Sequence, residues 1–182
     1  MNDKDVLLDL INRFSDWVHW VMDEVTPGAL CWQPDQEANN IAVTMWHISR
    51  SFDLFKVRLM ENRPVEEEQW FTKGWASKTG YDPRGKGSYE FGNLAGYTRA
   101  EVEEVPILPV KELLQYFDEV SDALQKYLRT IPSDSLHEIA PGCPAEPRTV
   151  YELIRGLLMD SLGHLGEIRA IKAMKERENR AA

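Results

Sequence analysis

The chain has 182 residues, 43% hydrophobic and 28% charged, with a net charge of −9; this is enough for one globular domain with a substantial core, and 1–182 reads as a single domain. The acidic balance, without clustered Lys or Arg, argues against a nucleic-acid binder. No basic-then-apolar N-terminus and no apolar run of roughly 18 residues is present, so neither a signal peptide nor a membrane span is expected.

Cys31 and Cys143 lack C-x-x-C spacing, which predicts neither a disulfide framework nor a zinc ribbon and leaves a reducing cytoplasm as the expected location. Six tryptophans point to aromatic packing or a lined cavity. Along the chain, residues 3–25 form the first expected helix, with Leu7, Leu10, Ile11, Phe14, Trp17, Val18 and Val21 at helical spacing and Thr26-Pro27-Gly28 ending it. His19 reads as a surface or boundary residue. A second helix is expected over 40–61, capped by Asn39 or Asn40 and closed before Pro64, with Ile41, Met45, Ile48, Phe52, Phe55 and Leu59 as its stripe. Apolar residues on its other faces imply that it is covered on more than one side. His47 falls roughly 120° from the stripe centre at 100° per residue, so periodicity alone makes it a boundary histidine.

Sustained period is lost over 63–97, which is rich in Gly and aromatics. So long a connection is either a self-packed excursion or a lid lined by Trp70, Trp75 and Tyr81. Arg84-Gly85-Lys86-Gly87 is a weak anion cradle without the P-loop pattern. Thr98 with Glu101 starts a short helix to 104, and a third long helix is expected over 109–130. His137 lies in the loop that follows and reads as solvated.

The last helix, 148–178, opens on Thr149 and Glu152, a capping box. Its seam runs Val150, Ile154, Leu157, Ser161, His164, Ile168, Ile171 at alternating steps of four and three. Asp160, Ser161 and His164 interrupt that apolar seam. Asp160 and His164 are four apart, hence neighbours on one face. They are either a hydrogen-bonded pair that fixes helix register or half of a metal site completed by another histidine from His19, His47 or His137. Imidazole and carboxylate suit zinc, iron, nickel or manganese. The elements together predict an all-α fold, a four-helix bundle with a long loop between its second and third long helices.

Two stretches carry a family resemblance. MWHISRSFDLF at 45–55 resembles the second helix of DinB-like bundle proteins, and HLGEIRAIKAM at 164–174 resembles their last helix, close to H-x-G-Q-I. Order and spacing agree over essentially the whole chain. The resemblance implies a bundle, commonly a homodimer, holding a divalent metal (Zn, Ni, Fe or Mn) on three histidines. Carried over, His47 and His164 match the outer ligands, while Asp160 stands at the middle position in place of histidine. A carboxylate there gives a two-His-one-carboxylate set and one more negative charge, which makes a bound water less acidic. Glu167 replaces the usual Gln, as a support for a ligand or a solvent-facing residue. The resemblance also implies a pocket shaped by Trp46, with Arg50 as an anion contact and Asp53 as a supporting partner. Some relatives are metal-dependent transferases or isomerases that use low-molecular-weight thiols on small-molecule substrates. The competing expectations are a non-catalytic dimeric bundle that binds a small ligand, and a metal-dependent hydrolase.

Overall fold

The computed structural model describes residues 2–143 and 147–181. Among these residues the fold is all-α, with no strand and one isolated bridge, Ile139 to Thr149. The α-helices in chain order are α1 (Asp3–Met22), α2 (Pro27–Leu30), α3 (Ile41–Leu54), α4 (Gln69–Thr72), α5 (Trp75–Thr79), α6 (Arg99–Glu103), α7 (Val110–Thr130) and α8 (Val150–Ala181). Of the long helices, α1 and α3 each pack against both α7 and α8.

Local chemistry sets the helix starts. Asn2 and Asp5 form a capping box on α1, Asn40 caps α3, and Thr98 and Glu101 form a second box on α6. On α8, Thr149 and Glu152 exchange bonds of 2.9 Å and 3.2 Å. Thr26-Pro27-Gly28, expected only to end the first helix, also starts α2: Thr26 is its cap and Pro27, which needs no partner for a missing N–H, is its first residue. The core is built on Phe14, Phe52 and Phe117 from α1, α3 and α7, with ring centroids 5.5–5.9 Å apart. Each is buried, and full burial of such a side chain contributes about 1.5–3 kcal/mol.

Two departures from sequence expectation matter for the site. The second long helix widens after Leu54 into a π turn, Phe55–Met60, where Glu61 N–H reaches back to Lys56 O. Gly142 docks on this turn, donating to Leu59 O at 2.9 Å. A Cβ at Gly142 would lie 1.8 Å from Arg58 O, so only glycine allows this approach. The 63–97 stretch is not unstructured: it holds α4, α5 and two 3₁₀ turns, each too short to give a readable period.

The excursion is pinned to α3 by a buried polar network. Asp53 accepts from Gln69 N–H at 2.8 Å and Trp70 N–H at 2.9 Å, placing a carboxylate at the N-terminus of α4, and from Tyr116 Oη at 2.9 Å. Arg50 pairs with Glu68 at 2.6 Å and donates to Gly92 O at 3.3 Å. Beside it, Trp46, Trp70, Tyr81 and Tyr116 pack at edge-to-face distances of 5.2–6.5 Å.

Candidate metal centre

Every residue of α3 is buried except His47. Its imidazole is turned out of the helix into a cavity of about 870 Å³ between α3, α8 and the 89–95 segment. His47 Nδ1 contacts Asn93 O. A carbonyl oxygen only accepts, so this contact keeps the hydrogen on Nδ1 and leaves Nε2 of the neutral ring as a lone pair. Burial, and then the neighbouring His164, hold the His47 pKa below its ordinary value of 6.5, which favours that neutral form.

On α8, His164 and Asp160 come from adjacent turns, and Ser161 between them stays in the core. His164 Nδ1 lies 2.8 Å from Glu167 Oε2. That carboxylate plays the same part for His164 as Asn93 O plays for His47. The two rings stand nearly perpendicular, 89° apart, with centroids 4.6 Å from each other. Asp160 Oδ2 lies 4.0 Å from His47 Nε2 and 3.6 Å from His164 Nε2. Both distances are too long for hydrogen bonds, so the Asp160–His164 bond of the register-pair reading is not made. They do fit two atoms that each sit about 2.0–2.2 Å from one ion. One ligand atom from each of the three residues can be chosen so that all lie within 4.8 Å of one another.

Chemically, this cluster consists of two imidazole lone pairs and a carboxylate, which are acceptors facing one another without a donor among them. A cation is what satisfies such a set. The donors are hard to borderline, suited to zinc, nickel, iron or manganese. His47 is largely shielded at 12% side-chain exposure, His164 is at 27% and Asp160 is at 65%, so the cluster sits at the mouth of the cavity with Asp160 on its outer rim.

Of the other candidates, Glu167 is at the site through its bond to His164. Trp46, about 100° round α3 from His47, is fully buried in the aromatic cluster and is not part of the cavity lining. Arg50 and Asp53 belong to the buried network behind it, where Arg50 is already held by two carboxylates and has no exposure with which to meet an anion. Trp70, Trp75 and Tyr81 are core residues of the same cluster rather than lining. The excursion reaches the cavity through Tyr89, Phe91, Asn93, Leu94 and Ala95 instead. Arg84 pairs with Asp82 and Glu66, and Lys86 with Glu104, so acids already occupy the suggested anion cradle. His19 pairs with Asp118 and His137 with Asp3, both on the surface.

Asn93 escaped the sequence reading because it looks like an ordinary turn residue in a Gly-rich stretch. Its carbonyl matters only once the excursion has folded back onto α3. Its side chain tightens that return, donating to Ser51 Oγ at 3.1 Å.

The model of the DinB superfamily matches residues 13–168. The chain belongs to the DinB superfamily. A solved structure of similar fold is a conserved protein from Enterococcus faecalis, with a TM-score of 0.74 at 18% identity, covering 94% of this chain and 96% of that one. At that identity the likeness concerns the fold. No curated protein matches the sequence. Among the described residues no helix is long and apolar enough to cross a membrane.

Proposed function

We propose that this DinB-superfamily chain is a metal-dependent enzyme, a four-helix bundle in which His47, Asp160 and His164 hold one divalent ion and a low-molecular-weight thiol is joined to a small electrophile. The observation that carries the reading is the convergence of three acceptors, each histidine oriented through its Nδ1, at the mouth of a large cavity. The ion would supply Lewis-acid chemistry, lowering the pKa of a thiol or water beside it. This chain's own residues prepare the site. Asn93 O and the Glu167 carboxylate hold the Nδ1 hydrogens, which keeps both Nε2 lone pairs turned to the same point. Asp160 adds the negative charge that offsets a dication. The apolar cavity wall excludes water from the body of the substrate while the exposed rim at Asp160 admits the second reactant. In the transfer, sulfur forms a bond to the electrophilic carbon as that carbon's bond to its leaving group breaks; the leaving group departs with the electron pair and the thiol proton goes to solvent.

The proposal extends to a single domain over 1–182, a homodimeric assembly and a cytoplasmic setting, with small molecules and not nucleic acid as partners. The exposed carboxylate at the rim also supports a second reading, metal-dependent hydrolysis, in which water takes the place of the thiol.

The test loads the protein with Zn, Ni, Fe or Mn in turn and follows consumption of bacillithiol, mycothiol or glutathione with model electrophiles. Thiol consumption that needs the metal and is lost in His47→Ala supports transfer. Ester or amide cleavage under the same dependence favours hydrolysis instead. Neither reaction with any loaded metal would leave a non-catalytic ligand-binding bundle.

A further inference from the structure

The cavity is not uniformly lined, and its three walls change character in the same direction. On the α3 side, the lining steps from Thr44 and His47 through Ser51 to Phe55 and Leu59, nearly every fourth residue and so on one face. The wall on α8 runs antiparallel to it: His164 and Asp160 stand opposite His47, and Leu157 and Leu153 lie further toward the helix start, while Gly142 meets the chain beside Leu59. It too passes from polar to apolar as far as Leu153, and the charged Glu152 and Arg148 line it at its start. The excursion adds Asn93 beside His47 and then Leu94, Phe91 and Tyr89. His47 and Phe55 are eight residues apart, roughly 12 Å at 1.5 Å per residue, and the π turn carries the wall on to Leu59. The result is a groove with an acceptor-lined polar end, an apolar body along Phe55, Leu59, Leu153 and Leu157, and charged Glu152 and Arg148 beyond that body.

We infer that the groove takes a linear amphiphile, with a metal-seeking polar head at His47, Asp160 and His164 and an aliphatic or aryl-aliphatic tail laid along Phe55, Leu59, Leu153 and Leu157. This deepens the proposed function by naming the substrate class, and its head group rests on the metal reading. The volume, about 870 Å³, is in the range of small-molecule sites, roughly 300–1,000 Å³. Gly156 stands at the middle of the α8 wall, where an added Cβ would meet nothing within 4 Å. Its lack of a side chain is therefore not required by packing within the chain. It keeps the groove open, and a larger residue there shortens the tail that fits.

The experiment measures binding of acetohydroxamate, hexanohydroxamate and decanohydroxamate to zinc-loaded wild-type protein and to Gly156→Leu. Head-free 1-hexanol and 1-decanol are measured on metal-free protein. In the wild type, affinity for the hydroxamates should rise with tail length, by up to about fourfold per buried methylene, the equivalent of ~0.8 kcal/mol. Gly156→Leu should keep the affinity for acetohydroxamate and its melting temperature but lose the gain for decanohydroxamate. The alcohols should show the same length dependence without metal, so the groove is tested even if no ion binds. Hydroxamates that bind equally at every length would overturn the inference and leave the metal centre standing. Binding that rises with length equally in both proteins would place the tail elsewhere and overturn it too. Failure of zinc loading together with length-dependent alcohol binding would remove the metal reading while keeping the groove.

Discussion

Arg50 and His47 lie one turn apart on α3, and each anchors a polar cluster, yet the two clusters have opposite chemistry. Around Arg50, donors meet acceptors: the guanidinium faces Asp53 and Glu68, and Asp53 takes two backbone N–H groups and a tyrosine hydroxyl. Of its carboxylate oxygens, only Glu68 Oε1 lacks a protein partner among the described residues. Around His47, acceptors meet acceptors, and Asp160 opens to solvent. The first arrangement is internally compensated and ties the excursion to α3 and α7. The second is held in place by Asn93 and Glu167 with its acceptors turned toward one another. Buried charge alone does not mark a candidate site; oriented acceptors without a donor among them do.

The largest expected effect is at Arg50. Arg50→Ala strands two carboxylates that burial already pushes above their ordinary pKa values, and should cost about 3–5 kcal/mol of stability, read from urea unfolding. An Arg50→Ala protein of near wild-type stability would mean that the network does not hold the excursion. His47→Ala and His164→Ala should behave in the reverse way. The unfolding free energy of metal-free protein should change by no more than about 1 kcal/mol, while divalent-metal affinity falls more than in any variant of a supporting residue. A smaller loss of affinity is expected for Glu167→Ala, about 10–100-fold, since it removes only the acceptor that orients His164; calorimetric titration with zinc distinguishes these.

The smallest effect is in the pH dependence. The His47 pKa is lowered in the folded protein by burial and by His164, so below its ordinary value of 6.5 the unfolded chain binds the extra proton first. The His47 contribution to stability is therefore full above about pH 6.5 and is lost as the pH falls through the folded value. Metal affinity should decline over the same acidic range, because protons compete for Nε2. A His47→Gln variant should flatten the stability profile there, and an unchanged profile would count against the buried, neutral imidazole.

Helix positions were legible because their signals are local: the Thr149–Glu152 and Thr98–Glu101 boxes, the Asn40 cap and the apolar stripes each lie within one or two turns. The Asp160–His164 pair was legible for the same reason. His47 was not legible from periodicity, since α3 is buried all round and its hydrophobic pattern has no exposed face to define an inside. The resemblance of MWHISRSFDLF to the second helix of DinB-like proteins singled it out instead. The roles of Trp46, Arg50 and Asp53 depended on where the 63–97 excursion lands. It lands on the side of α3 away from the cavity with its tryptophans and returns to the cavity with Asn93, a route set by tertiary contacts rather than by local spacing.

The most direct test of the proposed metal centre is the metal content of untagged protein by elemental mass spectrometry, after growth or reconstitution with divalent ions. About one ion per chain in the wild type, as three-ligand sites hold, and clearly less in each of His47→Ala, Asp160→Ala and His164→Ala is the expected result. No ion in the reconstituted wild type, or content in all three variants equal to that of the wild type, would contradict it.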